Sequence, residues 1–186
     1  TVGPLVNLWG FGPTVRAEAL PTAGEIAAAR ARVGWQRLRL REQPPAVRKT
    51  RADLSVDLSA IAKGYAVDRI AELLESADIT DYLVEIGGEL RGRGRNGRGQ
   101  PWQIAIERPE TDKRAIFRVV ALRDLGMATS GDYRNFFEVE GRRYSHTIDP
   151  ATGRPVGHQL ASVTVLAEST MRADAWATAL LVLGPD

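Results

Sequence analysis

Residues 81–107 read DYLVEIGGELRGRGRNGRGQPWQIAIE, and how this stretch is parsed decides the fold. DYLVEIGGELRGRG predicts a strand that runs into a glycine loop. WQIAIERP (102–109) and AIFRVVAL (115–122) predict further strands, each alternating apolar with polar residues. Gly92, Gly94 and Gly97 satisfy the spacing of a dinucleotide-binding fingerprint. That fingerprint must follow a strand and open a helix, whereas Pro101 and a strand come next here, so it is set aside. Arg91, Arg93, Arg95 and Arg98 could track a nucleic-acid backbone, but no aromatic residue is interleaved to stack on bases. A solvated hairpin tip accounts for the loop better.

Working outward, strands come in runs. GMATSGDYRNFFEVEGRRYSHTIDP (126–150) predicts strand, turn and a hairpin about Glu140 and Gly141, and LASVTVLA (160–167) one strand more. WQRLRLRE (35–42) predicts a strand with Gln36, Leu38 and Leu40 on one face, followed by a connecting loop, QPPAVRKTRAD (43–53). Three helices are expected. PTAGEIAAARARVG (21–34) has capping-box spacing at Thr22 and Glu25 and a stop at Gly34. VDLSAIAKGYAVDRIAELLESA (56–77) has Ser59 as a natural N-cap and Ala62, Ala66, Ile70, Leu73 and Ala77 on one face. The last helix runs from about Ser169 to Gly184. With few helices between strands, antiparallel pairing dominates and the class is α+β. Nothing in the sequence marks a domain boundary.

The 186 residues are 44% apolar and 26% charged with a formal charge of +2, an ordinary globular composition. No apolar run approaches 18 residues, so no spanning helix is expected. Cysteine is absent, which excludes disulfides, thiolate metal sites and cysteine nucleophiles within the chain. The opening at Thr1 and the stop at Asp186 just past a helix suggest an internal piece of something longer.

Several residue groups point to chemistry. Asp174 lies among Ala173, Ala175, Trp176 and Ala177, and the residue one turn later is Thr178 rather than a cation. Two oxygens on one helix face suit Mg²⁺, which takes few protein ligands together with waters and phosphates, and do not suit zinc; the plainer account is a solvated polar stripe. Asp57 leads into a helix N-terminus, a natural anion site, with Lys63 one turn in. Gly64 costs about 1 kcal/mol against alanine inside a helix, so it implies close approach of a ligand or of another backbone. His146 enters the tight loop formed by Asp149, Pro150, Thr152 and Gly153. Thr129, Ser130 and Gly131 end a strand as a turn or a backbone cradle.

Six blocks in order (residues 1–12, 56–68, 82–94, 128–137, 145–156 and 173–184) resemble the ApbE family, the FAD:protein FMN transferases. The resemblance implies a T-fold-like α+β domain over 1–186, incomplete at both ends. It implies a Mg²⁺-dependent enzyme that splits FAD, attaches FMN to a threonine of an acceptor flavoprotein through its phosphate, and releases AMP. Carried over by position, Mg²⁺ ligands fall on the Ala60 carbonyl, Asp174 and Thr178. Flavin contacts fall on Asp57, Lys63 and the backbone at Ile148, with the turns Gly87-Gly88 and Ser130-Gly131 close by. His146, then Asp149, is the expected base. Implied acceptors are subunits of Na⁺-translocating NADH:quinone reductase or related electron-transfer complexes, with no nucleic-acid partner. The implied location is the periplasmic side of the inner membrane, held there only by an N-terminal lipid anchor outside this sequence. An FAD-binding protein or FAD pyrophosphatase without transfer is the alternative.

Overall fold

The computed structural model describes residues 2–13, 19–110 and 115–185. In chain order the elements are α1 (Gly3–Leu8), α2 (Ala23–Arg30), a 3₁₀ turn (Trp35–Arg37), β1 (Leu38–Arg41), β2 (Ala46–Lys49), α3 (Ala62–Ser76), β3 (Tyr82–Ile86), β4 (Glu89–Arg93), β5 (Trp102–Glu107) and β6 (Ile116–Leu122). There follow β7 (Leu125–Gly131), β8 (Phe136–Val139), β9 (Arg142–Ser145), β10 (Ile148–Asp149), β11 (Arg154–Pro155), β12 (Ser162–Ala167) and α4 (Thr170–Leu183). Every strand pair among the described residues is antiparallel, so the α+β expectation holds. Two compact units form: Thr1–Leu58 with Asn135–Gly157, and Ser59–Arg134 with His158–Asp186. No helix among the described residues is long and apolar enough to cross a membrane.

The first unit is organised by aromatic rings. Trp9 stacks on Tyr144, Tyr144 on Phe137 and Phe137 on Phe11, with centroids 5.3–5.6 Å apart. The Trp9 indole N–H donates to the Gly153 carbonyl at 2.9 Å, which satisfies the polar edge of a ring only 2% exposed. Helix α2 starts as its sequence dictates: Thr22 and Glu25 form the complete capping box. It ends at Arg30 rather than near Gly34, whose φ of 126° instead opens the 3₁₀ turn. Residues 43–53, expected as loop, contain β2, which pairs with β1. The expected apolar face is not covered, since Leu40 and Val47 lie opposite each other and are 76% and 65% exposed.

In the second unit the sheet order is β12-β7-β4-β3. Successive residues of a strand point to opposite faces. Met127 of β7 therefore joins Leu90, Leu122, Trp102, Ile104 and Ile106 on one side, where β5 and β6 contribute. Ala128 faces Ala173 and Ala177 of α4 on the other. Alanine at these α4 positions lets the helix sit close, and Gly126 allows more: a Cβ there would lie 2.5 Å from the Thr170 Oγ1. Leu181, 1% exposed, adds about 1.5–3 kcal/mol of burial.

The stretch 81–94 is not one strand. Gly87 (φ 61°) and Gly88 (φ 101°) adopt left-handed backbone, folding it into the hairpin β3–β4. The arginine-glycine segment that follows is not a hairpin tip either, because β4 pairs with β7 and β5 with β6, so it links two sheets. Its arginines are largely committed: Arg93 pairs with Glu75 at 2.7 Å, Arg95 bonds the Gly99 carbonyl, and Arg91 bonds the Glu168 carbonyl.

Candidate active site

The site residues in the second unit follow from how α3 meets α4. Ser59 does not cap α3; the N-cap is Ile61, with no side-chain hydrogen bond, and the helix begins at Ala62. Nor is the buried face the expected one. Gly64, Val67 and Ala71 are buried, while Ile70 and Leu73 are 42% and 64% exposed. Close packing rather than bulk selects this face. A Cβ on Gly64 would lie 2.5 Å from the Thr170 carbonyl oxygen and 2.7 Å from the Met171 Cα, so another backbone, not a ligand, explains this glycine.

The same contact positions Asp174. Its side chain is buried, and its Oδ2 accepts a hydrogen bond from the Gly64 backbone N–H at 3.1 Å. Among the described residues no cationic side chain pairs with it. One turn along α4, the Thr178 hydroxyl lies 3.0 Å from that of Ser130 at the end of β7. Ala60 sits in the turn just before α3, four residues ahead of Gly64. Among the described residues no three His, Cys, Asp or Glu side chains cluster as a metal site. A cation here would instead draw on one carboxylate, one hydroxyl and one backbone carbonyl. These hard oxygens suit Mg²⁺, which keeps waters and takes ligand phosphates, and the donor set fits that ion.

Glu89 is a group the sequence did not flag. It opens β4 directly after the Gly87-Gly88 turn, and its Oε1 lies 2.6 Å from the Lys63 ammonium, which also donates to the Gly87 carbonyl at 3.3 Å. Lys63, expected to reach for phosphate, is thus held by a carboxylate. Glu89 is 2% exposed and its Oε2 has no hydrogen-bond partner. Burial pushes its carboxyl above the ordinary glutamate range; Lys63 works against that shift and the nearby Asp174 charge with it. Only the glutamate's place beside a glycine turn hinted at this in the sequence, and surface turns carry glutamates routinely.

A raised folded-state pKa means that folding takes up a proton between the ordinary and the raised value. The contribution of Glu89 to stability is therefore full below pH ~4.3 and is lost as pH rises through the folded pKa. Glu89→Gln should accordingly gain stability relative to the parent as pH rises, because Lys63, 45% exposed, can turn to water. Thermal melts from pH 4.5 to 8 read this directly, and a melting-point difference that does not change with pH would contradict it.

The other expected site residues belong to the first unit. The His146 Nδ1 lies 3.1 Å from the Asn135 carbonyl, which requires Nδ1–H to donate and leaves Nε2 as the basic nitrogen. Asp149 spends both oxygens on its own loop, accepting from Ala151 N–H at 2.8 Å and Thr152 N–H at 3.2 Å. Its carboxylate therefore closes the turn of residues 149–152, just past His146. Ile148 is buried in the aromatic cluster, and Asp57 is half-buried, its Cβ 3.7 Å from where a Cβ on Gly3 would lie. The structure thus brings Lys63, Gly87, Ser130, Asp174 and Thr178 together with Glu89 around α3 and α4, while Asp57, His146, Ile148 and Asp149 lie in the other unit.

The fold is antiparallel α+β, with a carboxylate buried on one helix face, unpaired with any cationic side chain among the described residues, and a hydroxyl one turn along. The chain belongs to the ApbE family, whose model matches residues 1–186. It is 51% identical over 189 residues to the FAD:protein FMN transferase of Haemophilus influenzae, covering all of this chain and 55% of that protein. It is 48% identical to the enzyme of that name from Escherichia coli K12, of which it covers 54%. Among solved structures, the flavin transferase ApbE from Vibrio cholerae matches the whole chain with a TM-score of 0.89 at 49% identity, with 58% of that chain covered. The chain spans about half the length of the curated relatives it matches.

Proposed function

We propose that this chain carries the nucleotide-cleaving part of a Mg²⁺-dependent FAD:protein FMN transferase. The observation that carries the reading is Asp174: a buried carboxylate with no cationic partner among the described residues, fixed by the Gly64 N–H, with Thr178 one turn away. The names of relatives near 50% identity supply the substrate.

On this reading Asp174, the Thr178 hydroxyl and the Ala60 carbonyl hold Mg²⁺. The ion supplies Lewis-acid polarisation at the FAD pyrophosphate. Lys63 turns from Glu89 to the arriving phosphate and stabilises its charge. The Gly87-Gly88 turn lets backbone approach the ligand; Ser130 and Gly131, expected as a turn, are instead the paired last residues of β7, and the flavin contacts implied for Asp57 and the Ile148 backbone belong to the other unit. The acceptor threonine oxygen attacks the phosphorus of the FMN half. A new P–O bond forms, the pyrophosphate P–O bond breaks, and AMP leaves with the electron pair. The hydroxyl proton goes to a base, for which His146 and then Asp149, both in the first unit, are the candidates. The acceptor is a subunit of Na⁺-translocating NADH:quinone reductase or of a related electron-transfer complex, met on the periplasmic side of the inner membrane.

The test is mass spectrometry of such an acceptor after incubation with the natural full-length protein, FAD and Mg²⁺. The expected result is an added FMN on a threonine with one AMP released for each. AMP released with the acceptor unmodified would make the protein a pyrophosphatase.

A further inference from the structure

Asp68 is a carboxylate that the mechanism does not use, yet it is among the most heavily bonded side chains in the second unit. It projects from α3, one turn after Gly64, onto the first turn of α4. Its Oδ2 accepts from the Ser169 hydroxyl at 2.8 Å and the Met171 N–H at 3.0 Å, and its Oδ1 from the Thr170 N–H at 2.9 Å. Arg91 lies 3.5 Å from Oδ1. These bonds hold the carboxyl below the usual aspartate range despite its partial burial, which acts the other way.

A helix start leaves unbonded N–H groups that local side chains ordinarily satisfy. In α4 the local cap does only part of this work: Ser169 Oγ accepts from Arg172 N–H at 3.3 Å. The N–H groups of Thr170 and Met171 are satisfied from a different helix. The arrangement is reciprocal, because Asp174 of α4 accepts the Gly64 N–H in the first turn of α3. Gly64 and Asp68 are four residues apart, as are Thr170 and Asp174, so two rungs run antiparallel between the helices. Each pair spans about 6 Å of helix. One rung is a hinge; two rungs fix the height and rotation of α4 on α3.

We propose that Asp68 is the positioning residue for Asp174, clasping the start of α4 so that the Asp174 carboxylate stands at the first turn of α3. The inference rests on the cation-site reading above for its consequence, though not for its geometry. Mg²⁺ demands near-ideal octahedral geometry, so a helix that slides or pivots loses affinity for the ion before it loses its fold.

The experiment compares Asp68→Asn with the parent in the natural full-length protein. The asparagine amide keeps one oxygen acceptor, so its NH2 would be set against either the Thr170 N–H or the Met171 N–H. Two readouts are taken: hydrogen exchange of the Gly64 amide without metal, and Mn²⁺ affinity by electron paramagnetic resonance. In the variant, Gly64 exchange should rise selectively, and the Mn²⁺ dissociation constant should rise about tenfold or more, as for groups that orient a metal's ligands. FMN transfer at saturating metal should stay within a few-fold of the parent. Should Asp68→Asn fold poorly, Ser169→Ala removes one of the four donors, together with the Arg172 cap, and should shift both readouts the same way by less. Unchanged Gly64 exchange would overturn the proposal, as would a uniform rise across α3 and α4 that only tracks a lower melting point. A parent that binds no Mn²⁺, with Gly64 exchange still rising selectively in the variant, would sink the cation reading and leave the clasp standing.

Discussion

Asp174→Ala should abolish Mg²⁺-dependent FMN transfer, with a loss beyond the roughly 10–100-fold typical of groups that merely support a metal's ligands. The reason is the short list of protein oxygens available. Among the described residues there is one buried carboxylate on this helix face, and the rest of the donor set is neutral. On the proposed reading, removing it takes away the charge that would hold the ion, and it leaves the Gly64 N–H without its partner. The orphaned N–H alone costs about 1–3 kcal/mol of stability, so the variant's melt in EDTA must be compared with the parent's before activity is read. Thr178→Val keeps the shape and removes one neutral oxygen. It should raise the Mg²⁺ requirement about tenfold while preserving transfer at saturating metal. A folded Asp174→Ala protein that transfers FMN at the parent rate, with the same Mg²⁺ dependence, would reduce the residue to a buried polar group with a structural bond.

Gly64→Ala should be the most damaging small substitution in α3. Helix propensity alone favours alanine by about 1 kcal/mol. Against that, the new Cβ would sit 2.5 Å from the Thr170 carbonyl oxygen and 2.7 Å from the Met171 Cα. Both are backbone atoms, which cannot rotate aside as a side chain can, so the helices must separate. Overpacking of this kind costs about 1–3 kcal/mol and occasionally more, and separation also stretches the Gly64–Asp174 bond. A net loss of about 2 kcal/mol is expected, read as a lower urea midpoint with an unchanged slope. Gly24→Ala in α2 is the matched control, because nothing lies within 4 Å of its Cβ position, and it should gain stability. Equal midpoints for Gly64→Ala and the parent would mean that α3 and α4 can part without cost.

The sequence carried whatever local chemistry decides. The Thr22–Glu25 capping box needs only four consecutive residues and forms as read. The hairpin about Glu140 and Gly141 forms where two residues adopt left-handed backbone, with φ of 51° and 74°. Helix α4 spans Thr170–Leu183, with Ser169 as its N-cap and Gly184 at its end, as the cap and stop signals dictate. Asp174 was legible for a different reason: an unpaired acid between alanines is anomalous within one helical turn, and burial confirms the anomaly.

What failed to be legible depends on partners far along the chain. The inward face of α3 follows small residues rather than large ones, because its neighbour is a backbone 106 positions away at Thr170, close enough to exclude a Cβ at Gly64. The tie between Lys63 and Glu89 forms across 26 positions, so a lysine that reads as a phosphate ligand carries its own counter-charge. The bonds from Asp68 to Ser169, Thr170 and Met171 span 101–103 positions. The sequence by itself determined the α2 capping box, the Glu140-Gly141 hairpin, the ends of α4 and the antiparallel class, since caps, turns and alternation act over a few residues. Tertiary structure alone decided which helix face is buried, which carboxylate holds Lys63 and what sets Asp174 in place, because burial and hydrogen-bond partners are properties of neighbours that the chain acquires only on folding.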